Sequence, residues 1–254
     1  MKYVLILLIS CLLLCSCRFE GEEEEEEYLP SSSSSTPLSS SSVVDLCADF
    51  KEGIEVNHYG KNKFQFCDAR DGKRYVYVEI GTQTWMAENL NYDTTSSKCN
   101  DCATYGRLYD WTTAMILPSS CNLNYCYSEI SSKHRGICPS GWHIPNIKEW
   151  LALSEYVDPN CTGAGCALIN HLKTTSGWDS GNGQDTYGFA ALPGGYGDEV
   201  GFGGVGYCGY WWGVPDLEGG EYTGFSVSLT LDRSCSENIP KNFHEFLSVR
   251  CVHD

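Results

Sequence analysis

Gly136-Ile-Cys-Pro-Ser-Gly-Trp-His-Ile-Pro145, followed directly by Asn146-Ile-Lys-Glu149-Trp150, is a turn-rich segment that opens into a helix. Asn146 and Glu149 stand three apart. At that spacing an N-cap side chain takes the N3 backbone N–H and the N3 acid reaches back to the cap. Trp150, Leu151 and Leu153 supply an apolar side, so the pattern predicts a helix running to about Tyr156. The elements on either side are short and of both kinds. Upstream, Arg74-Tyr-Val-Tyr-Val-Glu-Ile80 sets Tyr75, Tyr77 and Glu79 on one face and Val76, Val78 and Ile80 on the other, the period of a strand. Thr84 to Met86 follows after a turn at Gly81. Asp110 to Ile116 predicts a short helix stopped by Pro118, and Ala167 to Lys173 another. Downstream, Phe225-Ser-Val-Ser-Leu-Thr-Leu231 alternates as a strand, and Phe246 to Val252 forms a closing one. Between them Gly194 to Gly213 is too rich in glycine for regular helix. The class is mixed α and β with much loop.

Residues 47–254 suffice for one domain with a sizeable core. The domain is acidic: from Cys47 onward 25 Asp and Glu face 15 Lys and Arg, within a chain of formal net charge −16. No basic stripe is present to meet phosphates, which excludes nucleic acid as a partner.

The chain has a leader. Lys2 gives a positive start, and Val4 to Leu14 is apolar except for Ser10 and Cys11. That run is short of the roughly 20 residues of a spanning helix and fits a removable signal segment. It closes on Leu14-Cys15-Ser16-Cys17, which resembles a bacterial lipobox, so residues 1–16 are expected to be cleaved and Cys17 to carry lipid. Residues 17–46 form a tether: an acidic block at Glu20 and Glu22 to Glu27, then serine tracts at Ser31 to Ser35 and Ser39 to Ser42. Such composition buries too little apolar surface to offset ordering entropy, and as a coil it spans on the order of 30 Å. Acidic runs in this position also resemble surface-export signals of some Gram-negative lipoproteins. The expected address is the outer membrane, by a lipid anchor, facing the periplasm or the exterior.

Of the 15 cysteines, Cys11 and Cys15 leave with the leader and Cys17 takes lipid. The rest are even in number: Cys47, Cys67, Cys99, Cys102, Cys121, Cys126, Cys138, Cys161, Cys166, Cys208, Cys235 and Cys251. An even set in an exported domain reads as a disulfide framework whose connectivity the sequence leaves open. Spacing offers a partial map. Cys161–Cys166 and Cys121–Cys126 can close small loops, and Cys47–Cys67 can staple an N-terminal extension over residues 47–67. Cys138–Cys251 can tie the opening stretch to the last strand, worth about 4–5 kcal/mol in the chain-entropy account. Cys99-x2-Cys102 with Cys121-x4-Cys126 also approximates a four-thiolate zinc spacing, but export favours oxidation over metal capture.

No His-Glu-x-x-His, Gly-x-Ser-x-Gly or phosphate-loop pattern is present, and the six histidines are scattered. His143, between Trp142 and Pro145, reads as a packed core residue. No catalytic residue or metal site is assigned. Asp179-Ser-Gly-Asn-Gly-Gln-Asp185 is rich in oxygens and is the one candidate calcium loop, though it lacks the EF-hand pattern. Trp178, Tyr207, Tyr210, Trp211 and Trp212 lie in glycine-rich loops and are the candidate ligand-binding residues, since loop aromatics can stack on sugar rings.

Several blocks together resemble one family. Asp71-Gly72 with Ile80-Gly-Thr-Gln-Thr-Trp-Met-Ala-Glu-Asn-Leu-Asn-Tyr92, then Tyr105-Gly-Arg-Leu-Tyr-Asp-Trp111, then the opening stretch, follow the order of the Fibrobacter succinogenes major paralogous domain. Tyr187-Gly-Phe-Ala-Ala-Leu-Pro-Gly-Gly195, Tyr210-Trp-Trp212 and Ser248-Val-Arg-Cys-Val252 complete it, so the resemblance covers about residues 68–254. The chain departs from the pattern at Gly213-Val214-Pro215 and at Glu245-Phe246-Leu247. The resemblance implies an α+β, C-type lectin-like fold related to the formylglycine-generating enzymes. Short helices would pack on small antiparallel sheets, with long disulfide-stapled loops and paired first and last strands. It supplies no catalytic residues. It implies a non-catalytic surface module for adhesion or binding, with polysaccharide or a cell-surface protein as partner. The alternative it implies is an extracytoplasmic enzyme using a reactive cysteine or metal.

Overall fold

The computed structural model describes residues 45–124, 126–160, 168–179, 181–215, 226–229 and 245–254. The leader, Cys17, the tether through residue 44, Cys161, Cys166 and Cys235 lie outside them. Among the described residues no helix is long and apolar enough to cross a membrane.

Strands β1 (Ile54–His58) and β2 (Lys61–Cys67) form a hairpin across Tyr59-Gly60. Both turn residues have positive φ, 52° and 74°, the sense that matches the right-handed twist of flanking strands. β3 (Arg74–Ile80) and β4 (Gln83–Met86) extend the meander. β13 (Val252–His253) then lies between β4 and β7 (Trp142–His143), giving the order β1-β2-β3-β4-β13-β7. The last strand therefore pairs with an early one, Val252 opposite Trp85 and His143.

A second sheet has the order β11-β10-β12-β6-β5, from Ser226–Leu229, Gly209–Trp212, Leu247–Ser248, Leu108–Tyr109 and Ser97–Lys98. Its β10–β12 step is parallel, Trp211 opposite Ser248, so the sheets are not purely antiparallel. A third sheet is the hairpin of β8 (Tyr196–Gly197) and β9 (Phe202–Gly203). The helices are short: α1 (Cys102–Tyr105), α2 (Trp111–Met115), α3 (Cys121–Asn124), α4 (Ile147–Val157) and α5 (Leu168–Leu172).

The capping box read from the sequence is present at α4: Asn146 Oδ1 accepts from Glu149 N at 3.0 Å and Glu149 Oε2 from Asn146 N at 2.8 Å. The other oxygen of Glu149 lies 2.9 Å from His143 Nε2, and Asp254 Oδ1 lies 2.7 Å from His143 Nδ1. One glutamate thus caps the helix and fixes a histidine that is 1% exposed.

The central strands β4 and β10 bury side chains on both faces, in two cores. Trp85, Trp150, Phe189, Trp211 and Val252 belong to one, and Met86, Trp111, Trp142, Tyr210, Trp212 and Cys251 to the other. Successive side chains of a strand point to opposite faces, so Trp85 and Met86, or Trp211 and Trp212, feed different cores.

The expected single closing strand over Phe246 to Val252 is instead two strands, β12 and β13, in different sheets. Residues 249–251 cross between them beside residues 86–90, with Leu90 N donating to Val249 O (2.8 Å) and Met86 N to Cys251 O (3.0 Å). Disulfides join Cys47–Cys67, Cys99–Cys102, Cys121–Cys126 and Cys138–Cys251. Cys208 is disulfide-bonded as well.

Candidate functional site

Asn89 follows β4 and is nearly buried, at 5% exposure. Its Oδ1 accepts from Trp211 Nε1 (2.8 Å) and from Arg250 Nε and Nη2 (3.1 and 2.8 Å). Its Nδ2 donates to Tyr105 O (2.8 Å) and Ser248 Oγ (3.2 Å). Arg250 is fully buried and donates onward to Phe189 O and Ala190 O, with its guanidinium 4.4 Å from the Phe189 ring centroid. A Cβ on Gly106 would meet Asn89 Cβ at 2.8 Å, so glycine is what lets the Tyr105 carbonyl approach. Five of the sequence blocks, each unremarkable for chemistry, meet at this hub.

Beside it lies a buried pair of charged side chains that sequence patterns did not single out as a pair. Lys63 of β2 and Asp185 are both 0% exposed, with Nζ 3.9 Å from Oδ2. Asp185 Oδ1 accepts from Ala190 N (2.7 Å), while Oδ2 has no hydrogen-bond partner. Lys63 Nζ also lies 3.2 Å from His58 Nδ1, and His58 Nε2 lies 3.4 Å from Glu88 Oε1. Burial pulls the Lys63 ammonium down to about 8, opposed by Asp185, and pushes the Asp185 carboxyl upward, opposed by the Ala190 N–H and Lys63. Ala190 holds φ at +55°, a strained value for a residue with a Cβ, fixed by its bonds to Asp185 and Arg250.

This chain of groups rises into a pocket of about 360 Å³. The end of β1 gives it His58, the β1–β2 turn Tyr59, β3 Arg74, and the segment after β4 Glu88, Asn89 and Asn91. Helix α1 forms the opposite wall and carries Cys102 of the Cys99–Cys102 disulfide. Asp101 caps that helix, its side chain accepting from Thr104 N. Tyr59 is 41% exposed at the mouth, its ring centroid 4.5 Å from that of His58. Glu88 is fixed by Val76 N at 2.7 Å, and Asn91 Nδ2 by Cys102 O at 2.9 Å. Arg74 is exposed and lies over the Phe50 ring, 5.3 Å from its centroid. A preformed concavity with an amide and a carboxylate held by hydrogen bonds, an exposed guanidinium and one open aromatic ring can meet a hydroxyl-rich ligand.

The aromatics expected to form a sugar platform lie elsewhere, and four of the five are core residues. Trp211 and Trp212 are 0% exposed, Tyr210 1% and Trp178 5%. Their N–H groups are committed inward: Trp212 Nε1 to Tyr109 O (2.6 Å), Trp178 Nε1 to Thr174 Oγ1 and Ala191 O (both 3.1 Å). The surrounding glycines serve packing, since a Cβ on Gly209 would strike the Trp211 ring at 2.4 Å. Only Tyr207 is open, at 45% exposure.

In the Asp179–Asp185 segment, of which Ser180 lies outside the described residues, three of the groups that could supply oxygens are engaged within the protein. Asn182 Oδ1 accepts from Trp178 N (3.1 Å), Gly181 O from Lys173 Nζ (2.5 Å), and Asp185 faces Lys63. Among the described residues no group of three or more His, Cys, Asp or Glu is placed to hold a metal ion. The Cys99–Cys102 and Cys121–Cys126 sulfurs are in disulfides and offer no thiolates.

Comparison with curated proteins gives no match, and comparison with solved structures gives none. The family profile described as the Fibrobacter succinogenes major domain matches residues 78–253, a span that holds Asn89, Asp185 and Arg250. The chain belongs to the Fibrobacter succinogenes major domain family.

Proposed function

We propose that this chain is a cell-envelope lipoprotein, held at the outer membrane by lipid on Cys17, that presents a non-catalytic binding module for polysaccharide. The observation that carries the binding role is the pocket at Tyr59, Arg74, Glu88 and Asn91: open, polar and set on strands and a disulfide-tied helix. Sugar recognition needs fixed polar groups for hydroxyls and an aromatic face for C–H bonds. The finer fold assignment, C-type lectin-like, is supported by the pairing of β13 with β4 and by the short helices around small sheets. The enzyme alternative would draw on a reactive cysteine or a metal; the described cysteines are in disulfides, which favours the binding role.

A glycan array probed with the detergent-extracted full-length chain tests binding. Retention of a polysaccharide is expected, with Tyr59→Ala and Arg74→Ala each weakening it about tenfold. No retention of any glycan overturns the binding role. Cys17→Ser is expected to release the chain from the membrane fraction, and its continued sedimentation with membranes would overturn the anchor.

A further inference from the structure

The Lys63–Asp185 pair is poor as an ion pair. Both side chains are 0% exposed, yet they stand 3.9 Å apart, and Asp185 Oδ2 has no hydrogen bond. Two charges withdrawn from water need better geometry than this to offset desolvation. The arrangement is instead that of a nucleophile beside an electrophile. Gly188, at φ +78°, makes the room: a Cβ there would meet Lys63 Cε at 3.0 Å.

We propose that Lys63 and Asp185 condense into an intramolecular isopeptide bond, cross-linking β2 to the segment before Phe189. Burial favours a neutral amine and a neutral carboxylic acid together, the protonation states the step requires. Lys63 Nζ attacks Asp185 Cγ, and the developing oxyanion at Oδ1 is met by the Ala190 N–H, already at 2.7 Å. His58 Nδ1, 3.2 Å from Nζ, takes the proton that the new amide nitrogen sheds. Its Nε2–H faces Glu88 Oε1 at 3.4 Å, which stabilises the transient imidazolium. The Cγ–Oδ2 bond breaks, the proton is returned to the departing hydroxyl, and one water leaves. The Nζ–Cγ amide bond replaces it with no change of oxidation state and no co-reactant. Proximity supplies the driving geometry, and exclusion of water protects the product.

The test is a peptide map of the full-length chain, extracted in detergent, reduced and digested with trypsin. The expected result is no cleavage after Lys63, with peptide Asn62–Arg70 joined to the segment carrying Asp185 at their summed mass less one water. Lys63→Met and Asp185→Ala are expected to abolish the joined peptide. His58→Ala keeps both reactants and is expected to slow its appearance. Cleavage after Lys63 in the wild-type chain, with the Lys63 and Asp185 peptides recovered separately at their unmodified masses, overturns the proposal. The wild-type map decides the matter even if a variant fails to fold.

Discussion

Arg250 and Asn89, 161 residues apart, are joined side chain to side chain, with Nε and Nη2 of the arginine both donating to one Oδ1 of the asparagine. Trp211 Nε1 donates to the same oxygen, and the asparagine's Nδ2 reaches Tyr105 and Ser248. An asparagine is needed here because the position must accept from a buried cation and donate to a carbonyl at once. The charge of Arg250 is thereby carried into the core without a carboxylate at hydrogen-bond distance from its guanidinium among the described residues.

Asn89→Ala removes that oxygen and leaves its donors, a buried guanidinium and an indole N–H, short of an acceptor. The expected loss is about 3 kcal/mol or more. Urea unfolding of the variant against the wild type measures it, and a shift under 1 kcal/mol (about the cost of one ordinary hydrogen bond) would show the hub to be incidental.

The disulfides differ in what they constrain. Cys138–Cys251 closes a loop of sequence separation 113, and Cys121–Cys126 one of 5. In the chain-entropy account the first is worth about 5 kcal/mol and the second about 2. Paired serine substitutions, each followed by denaturant titration, should show that order. Equal effects would place the stabilisation in local packing rather than in the unfolded chain.

Trp211→Ala and Tyr59→Gly separate core from site. Trp211 is fully buried between strands, so its truncation is expected to cost about 3–5 kcal/mol. Tyr59 holds φ at +52° in the hairpin turn, where glycine relieves strain and is expected to leave stability unchanged or raise it by about 1 kcal/mol. Glycan retention by folded protein should fall only in the Tyr59 variant. A fall in folded Trp211→Ala instead would return the sugar platform to the glycine-rich loops.

Stability against pH distinguishes the free pair from the linked one. A Lys63 amine held at about 8 in the folded chain binds fewer protons than its unfolded counterpart between pH 8 and 10.5. Stability therefore rises with pH across that window, and below it the unfavourable burial of the charge is felt in full. The linked chain has lost this group and is expected to show no such rise. His58→Ala, examined before linkage, should show it. A rise of equal size in both would mean that the wild-type amine is free.

Much of the local structure is legible in residues 74–80, 110–116 and 146–156, where alternation and capping act within a few residues of sequence. The N-cap at Asn146 is a three-residue relationship, and it forms as read. Tyr210, Trp211 and Trp212 show the limit. A Gly-rich loop with three aromatics has the same composition whether it faces solvent or core. What decides is β10 pairing with β12, two strands 35 residues apart at their nearest ends. The same holds for Lys63. On a strand alternating exposed and buried positions it reads as an ordinary surface lysine, and only the arrival of Gly188 and Asp185 against it makes it a buried one.

The sequence by itself determined the family, the short elements, the acidic charge and the even cysteine set, because these are carried by composition and by near-neighbour spacing. Tertiary structure decided which aromatics are core, where the pocket lies, and that Lys63, Asp185, Asn89 and Arg250 converge. Burial and charge pairing depend on residues more than 100 positions apart, and nothing in local periodicity records which of them will meet.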